Sequence, residues 1–149
     1  MRIFATSVAL LFLMFSFAQS EEDFNEAGRL GYAYWDCAAH GYLLEEIPDT
    51  AQKLFEAGYE KIGIILQGAI DGKLTKENTK DVPIGLSWYF VSGPNIDFSL
   101  GYMWAKFSEG AYEQTWPEFE TPSFDEQKEL QRLGALQAFQ DKNCELLVK

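Results

Sequence analysis

The sequence predicts an all-α protein, a small bundle of about four long helices plus one short helix. Three observations support this prediction. Apolar residues recur at steps of three and four over most of the chain, which is the spacing of one helix face. Prolines and capping residues divide this pattern into segments of helical length. Little of the chain shows the apolar and polar alternation of a half-buried strand.

Residues 1–20 are predicted to be a secretory signal peptide. A start with one basic residue, Arg2, leads into an apolar run over residues 8–17 that closes on Ala18-Gln19-Ser20. A basic start, an uncharged core of roughly 10 residues and small residues before the cleavage point characterise such leaders. The run is too short for a membrane span, which needs about 20 residues. We therefore expect a single domain over residues 21–149 that is periplasmic or secreted, without a stable membrane anchor.

The first two predicted helices are long. The first covers residues 24–47 and ends before Pro48, because the residue before a proline avoids the helical conformation. Asp49 or Thr50 is then expected to cap the second helix. The apolar face of the second helix has the clearest periodicity in the chain: Ala51, Leu54, Phe55, Gly58, Ile62, Ile65 and Ala69. Glycine disfavours a helix interior, and we interpret Gly58, Gly63 and Gly68 as points where a neighbouring helix approaches closely.

A polar connector and a short apolar segment follow. Residues 71–81 carry Lys73, Lys76 and Lys80, which make a locally positive spot on an acidic chain. Residues 84–91 are apolar and aromatic, and periodicity does not distinguish helix from strand over so short a run. A short buried helix is the preferred prediction, because a lone strand would have no partner for its backbone groups.

Residues that favour helix N-termini predict where the last two helices begin. Ser92-Gly93-Pro94 is a helix entry, with the Ser92 hydroxyl as the cap candidate and the proline in the first turn. An apolar stripe follows it: Ile96, Leu100, Met103, Trp104, Phe107 and Ala111. The stretch over residues 112–122 is expected to be irregular, because prolines interrupt regular structure. Ser123 and Glu126 have the spacing of a capping box that opens the last helix, which ends near Cys144.

Cys37 and Cys144 are the only cysteines in the sequence. Because exported chains meet an oxidising compartment, an even count of two predicts one disulfide. It would join the first helix to the end of the last. A metal-binding thiol is the alternative, but thiolate zinc sites need four ligands at short spacings, and the chain has one histidine and no C-x-x-C. No metal and no cofactor is predicted.

The net charge limits the classes of partner. The whole chain has a formal charge of −11, and without the leader and its Arg2 this becomes −12. Such a charge argues against nucleic acid, whose phosphates attract Lys and Arg, and against anionic lipid. A basic protein is the natural complement, because opposite fields accelerate encounter. The simpler explanation is that surface acids keep an exported protein soluble.

Few residues suit catalysis. His40 is the only histidine, and Asp36 lies four residues before it on the same predicted helix face. A serine would be needed to complete a hydrolytic triad, and the G-x-S-x-G elbow that marks one is absent. We therefore interpret Asp36 and His40 as a surface pair. A non-enzymatic function is predicted.

The preferred hypothesis is an exported, non-catalytic acidic protein that recognises a protein partner, in the manner of an inhibitor or immunity protein. Its candidate contact residues are Trp116, Glu118, Phe119 and Glu120, in a loop stiffened by prolines. Aromatic anchors with an acidic rim suit a basic cleft. The alternative role for this loop is that Trp116 and Phe119 fold down as a lid on the bundle.

Two other functions are weaker hypotheses. One is a carrier whose helices enclose a small apolar ligand, with Trp88, Phe90, Met103 and Trp104 as walls of a pocket of at least roughly 300 Å³. The least favoured is a hydrolase that uses Asp36 and His40.

Overall fold

The computed structural model describes residues 20–117 and 123–148, with side chains from residue 24 onward. The predicted leader lies outside these residues except for Ser20. The helices are α1 (Ser20–Gly41), α2 (Pro48–Ile70), the short α3 (Ile84–Tyr89), α4 (Ile96–Thr115) and α5 (Phe124–Asp141). A 3₁₀ turn, Cys144–Val148, follows α5. All regular structure in the described ranges is helical, so the predicted fold class is confirmed.

The main core lies where α1, α2 and α4 meet around Trp35. Its indole ring is fully buried, and its Nε1 donates a hydrogen bond of 3.0 Å to the main-chain oxygen of Phe55. The ring of Phe55 stacks on it at 6.1 Å between centroids, and Trp104 and Phe107 meet it edge-on at 5.6 and 5.7 Å. Aromatic pairs at these distances add to the stability gained by burial. The stripes predicted for the three helices therefore converge on one side chain.

A second core joins α5 to the C-terminal part of α1. The predicted disulfide between Cys37 and Cys144 is present, with Cα atoms 5.5 Å apart. Buried around it are Ala38, Leu44, Leu54, Ala135 and Phe139. Two surface ion pairs cross the same junction: Lys142 contacts Asp36 at 2.7 Å, and Arg132 of α5 contacts Glu46 in the α1–α2 turn. A hydrogen bond with Glu129 raises the pKa of Arg132 further above its usual value.

Helix ends differ from the predictions in several places. α4 continues to Thr115, so residues 112–115, the first part of the stretch predicted to be irregular, are helical. α1 ends at Gly41 rather than residue 47, and two i to i+3 bonds turn the chain at once, from Leu43 N to His40 O and from Leu44 N to Gly41 O. Pro48 opens α2 instead of ending α1, because a first-turn proline loses no helical hydrogen bond. The predicted caps Asp49 and Thr50 therefore lie inside α2.

The predicted cap of α4 is wrong, whereas the predicted cap of α5 is confirmed. Asn95, not Ser92, caps α4 by accepting a hydrogen bond of 2.9 Å from the backbone N–H of Phe98. The Ser123 hydroxyl accepts one of 3.2 Å from the Glu126 N–H, which confirms the predicted capping box.

The short helix α3 is confirmed, but its predicted burial is wrong. Only Leu86 is buried, whereas Ile84 and Trp88 expose 63% and 74% of their surface. α3 packs mainly against α4, and its Gly85 lies close to the ring of Tyr32 of α1. It is therefore an outer wall of the bundle rather than part of its centre.

Two of the three α2 glycines are sites of close approach, as predicted. A Cβ on Gly58 would overlap the indole of Trp35, and one on Gly68 would come within 2.5 Å of Cε1 of Phe24. A Cβ on Gly63 would meet nothing within 4 Å. Gly63 is thus a glycine that packing does not require.

The disulfide should dominate stability, because it closes a separation of 107 residues. For a loop of this length the chain-entropy model gives about 4 to 5 kcal/mol at 25 °C. We expect wild-type protein in reductant to lose most of this free energy of unfolding relative to the oxidised protein. Urea titrations followed by circular dichroism measure it, and coincident midpoints would contradict the expectation.

Substitution of the α2 glycines should have opposite effects at two positions. Gly58→Ala should destabilise the fold by about 1 to 3 kcal/mol, because the new methyl group displaces the ring of Trp35. Gly63→Ala should stabilise it by about 0.5 to 1 kcal/mol, because alanine is the better helix former and the space is open. Thermal melts of the two variants provide the comparison. Equal shifts would show that close packing at Gly58 is unimportant.

Candidate functional site

A cavity of about 450 Å³ lies between α2, the connector over residues 71–83, α3 and α4. Its volume is in the range of small-molecule sites, roughly 300 to 1,000 Å³. Most of the lining is apolar: Ile62, Ile65, Leu66, Ala69, Leu74, Val82, Pro83, Ile84, Leu86, Phe90 and Met103. Four polar residues complete it: Thr75, Lys76, Thr79 and Ser87.

The α2 wall follows from helical spacing and from the way this helix ends. Ile62, Leu66 and Ala69 are separated by steps of four and three, so they lie on one face. After α2, Gly72 adopts a left-handed conformation with φ of +66°, which glycine tolerates best. The N–H groups of Gly72 and Lys73 bond back to the main-chain oxygens of Ala69 and Gly68. This Schellman-type ending reverses the chain, so that the connector returns over the face that α2 presents.

Side-chain hydrogen bonds fix the shape of the connector. Asn78 is buried, and its Oδ1 accepts from the N–H of Thr75 at 2.7 Å while its Nδ2 donates to the main-chain oxygen of Lys73 at 2.9 Å. The Thr79 hydroxyl donates to the main-chain oxygen of Thr75 at 2.6 Å. Further along, the N–H of Asp81 bonds to Asn25 of α1. The polar edge of the cavity is therefore preformed.

The charge on this edge is positive. Lys76 is the charged member of the lining, which contains no carboxylate. Its neighbour Lys73 is already paired with Asp71 at 2.7 Å, and this hydrogen bond lowers the pKa of the Asp71 carboxyl. In the part of the chain that the structure describes, Lys76 forms no ion pair.

The residues predicted as pocket walls separate into two groups. Phe90 and Met103 line the cavity. Trp88 is an exposed residue of α3 outside this lining, and Trp104 belongs to the main core, where its ring lies 4.8 Å from that of Phe55. The α2 wall and the connector were missed by the sequence reasoning. The sequence feature that could have identified the α2 wall is the near absence of a polar face over residues 62–70, because packing against α1 alone needs only one apolar face.

The residues predicted to contact a protein partner are described only in part. Trp116, at the end of α4, is half-buried and stacks on Tyr112 with 5.2 Å between centroids, and the ring of Phe124 lies 6.3 Å away. Glu118, Phe119 and Glu120 lie outside the described residues. Tyr112 and Phe124 are exposed, so this end of the bundle presents an aromatic surface, the aromatic tip of Tyr112, Trp116 and Phe124.

Asp36 and His40 are paired as predicted, but the pair does not lie wholly at the surface. His40 is 1% exposed, and its Nδ1 lies 2.7 Å from the main-chain oxygen of Asp36. The Asp36 carboxylate is 3.7 Å from that nitrogen and accepts a hydrogen bond from Lys142. The other nitrogen, Nε2, is buried without a hydrogen-bond partner among the described residues. A histidine placed in this way is not accessible to a substrate at the surface.

Among residues with described side chains, no group of three or more His, Cys, Asp or Glu is placed to hold a metal ion. No helix in the described part of the chain has the length and apolar character that a membrane crossing requires. No protein-family model, curated protein or solved structure matches the chain.

Trp116 and Trp35 should differ sharply in their effect on stability. Trp116→Ala removes a half-buried ring from the aromatic tip and should cost about 1 to 2 kcal/mol. Trp35→Ala empties a fully buried site and should cost about 3 to 5 kcal/mol or prevent folding. Denaturant titrations of both variants provide the measurement. A loss at Trp116 as large as that at Trp35 would show that Trp116 is part of a lid on the core.

Proposed function

We propose that the protein is a non-catalytic carrier that binds a small apolar ligand in the cavity between α2, α3 and α4. The observation that carries the proposal is the cavity itself, with its volume of about 450 Å³ and eleven apolar lining residues. Sites for small molecules are concave, mostly apolar and preformed, with a few placed polar groups. The cavity has each of these properties.

Burial of an alkyl or aromatic ligand provides the driving force. Each methylene group removed from water contributes about 0.8 kcal/mol, so a medium-length chain gains several kcal/mol. Association opposes this gain through lost translational and rotational freedom. The connector is already held by Asn78, so little ordering of the site is needed on binding. Preorganisation of this kind leaves more of the burial energy as affinity.

The surroundings of the cavity give a ligand a route to it. Ile84 and Phe90 are lining residues that are also exposed, so the apolar lining continues to the surface. Ile70 follows the lining residue Ala69 in sequence, Trp88 follows the lining residue Ser87, and both Ile70 and Trp88 are exposed. Contiguous exposed apolar groups are typical of binding sites. A ligand can therefore enter beside α3.

A protein partner is the second candidate function, and the exposed aromatic tip favours it. Acidic residues lie next to this tip in sequence: Glu113, Glu118, Glu120, Asp125 and Glu126. Aromatic anchors surrounded by acids would suit a basic cleft, as an inhibitor or immunity protein would need. Trp116→Ala distinguishes the two functions, because it should weaken binding of a basic partner and leave the cavity unchanged.

A substitution that fills the cavity tests the carrier. Ala69 lines the cavity from the last turn of α2, and Ala69→Phe places a ring in the space a ligand would occupy. We expect the affinity for the neutral fluorescent probe N-phenylnaphthylamine, and for dodecanol as its competitor, to fall at least about tenfold. Fluorescence titration measures both affinities.

Ala105→Phe is the matched control, because Ala105 is an exposed residue of α4 outside the cavity lining. It should retain wild-type affinity, and circular dichroism should show both variants folded. Absence of probe binding to the wild type, or equal binding by the two variants, would contradict the carrier.

A further inference from the structure

We infer that the ligand is a single-chain amphiphile with an anionic head, and that Lys76 binds this head at the rim while the apolar chain fills the cavity. The inference rests on the proposed carrier function and specifies the chemical class of its ligand. Three features support it. The floor of the cavity is apolar and its rim carries polar residues. Some rim groups remain free to donate hydrogen bonds, and one of the three connector lysines lines the cavity.

The floor of the cavity is apolar, whereas its polar residues lie toward the surface, beside the exposed apolar residues Ile84 and Phe90. Leu66, Leu86 and Met103 are buried, so they form the floor of the cavity. Thr75 and Lys76 are exposed and lie on the connector, so they form the rim, while Thr79 is half-buried beside them. A site with an apolar floor and one polar edge matches a molecule with an apolar chain and one polar end. A wholly apolar ligand would not use this edge.

The charge of the rim is opposite to that of the protein. The chain contains 23 acidic and 12 basic residues, yet the 15 lining residues include one lysine and no acid. Asp71, Glu77 and Asp81 lie on the same connector but outside the lining, so Lys76 is the charged side chain at the cavity itself. A cationic head would be repelled by Lys76, whereas an anionic head would gain a charge-assisted hydrogen bond.

The hydrogen bonds of the rim hydroxyls also favour an anionic head group. Thr79 and Ser87 already donate their hydroxyl protons to the main-chain oxygens of Thr75 and Ile84. The Thr75 oxygen accepts from the N–H of Asn78, which leaves its proton as a donor for a ligand. The donors available to a head group are thus the Lys76 ammonium and the Thr75 hydroxyl. A carboxylate accepts from both.

The three connector lysines are not equivalent. Lys73 is paired with Asp71, and Lys80 does not line the cavity. Lys76 lines it and forms no ion pair within the described residues. The pair Lys76 and Lys80 therefore offers a comparison in which the same charge is removed from the same connector, once inside the site and once outside it.

The test compares dodecanoate, dodecanol and dodecyltrimethylammonium, which share one chain and differ in head charge, at concentrations below micelle formation. In Lys76→Gln, dodecanoate affinity should fall about three- to tenfold, the effect of losing a partly exposed charge-assisted contact. Dodecanol affinity should stay within about twofold, because the apolar contacts are unchanged. Added salt should weaken wild-type binding of dodecanoate and not of dodecanol.

Lys80→Gln is the control and should leave both affinities unchanged. If dodecanol binds and dodecanoate responds equally to the two lysine substitutions, or to neither, the anionic head is wrong and the carrier stands. Tighter binding of dodecyltrimethylammonium than of dodecanoate would also overturn the anionic head. If none of the three ligands binds the wild type, the carrier itself is wrong. Lys76-dependent binding to phosphatidylglycerol vesicles without binding of monomeric dodecanoate would replace the head-group site with a membrane contact.

Discussion

The close contact between Trp35 of α1 and Gly58 of α2 is the constraint on which the rest of the bundle depends. The missing side chain at Gly58 lets the indole lie directly against the α2 backbone, where Nε1 satisfies the Phe55 carbonyl. With Trp35 fixed, Phe55, Trp104 and Phe107 assemble around it and bring α4 onto the same pair of helices. The face of α2 further along is covered by the connector, by α3 and by Met103 of α4. The cavity is the space that these elements leave unfilled.

The sequence predicted those parts of the fold that depend on periodicity and on covalent chemistry. Four long stripes, the Ser123 capping box and the Cys37–Cys144 disulfide follow from spacing and from the cysteine count, and the structure contains them. The predicted end of α1 was wrong because apolar residues such as Leu44 continue the apolar stripe into a tight turn. Tertiary packing buries Leu44 there without helical geometry, and a sequence pattern does not separate the two cases.

The candidate site was less accessible to sequence reasoning. Phe90 and Met103 were identified because they are apolar residues near an aromatic run. Trp88 and Trp104 have the same sequence signal but do not line the cavity. Trp88 is exposed, and Trp104 packs in the main core. Which way a side chain of a short helix faces depends on its neighbours in space. The proposed role of Lys76 depends on the reversal at Gly72, which places a polar connector beside an apolar helix face.

For the proposed carrier, the peripheral position of α3 has a consequence for the timing of ligand exchange. This helix of six residues has one buried side chain, whereas α1 and α2 are held together by the main core, and the disulfide fixes α1 to the C-terminal turn. Segments with few buried contacts open locally at much lower free energy than the whole domain unfolds. We therefore expect α3, rather than the hydrogen-bonded connector, to act as a gate for the proposed ligand. Its opening frequency, rather than diffusion to the surface, would set how long a ligand stays bound.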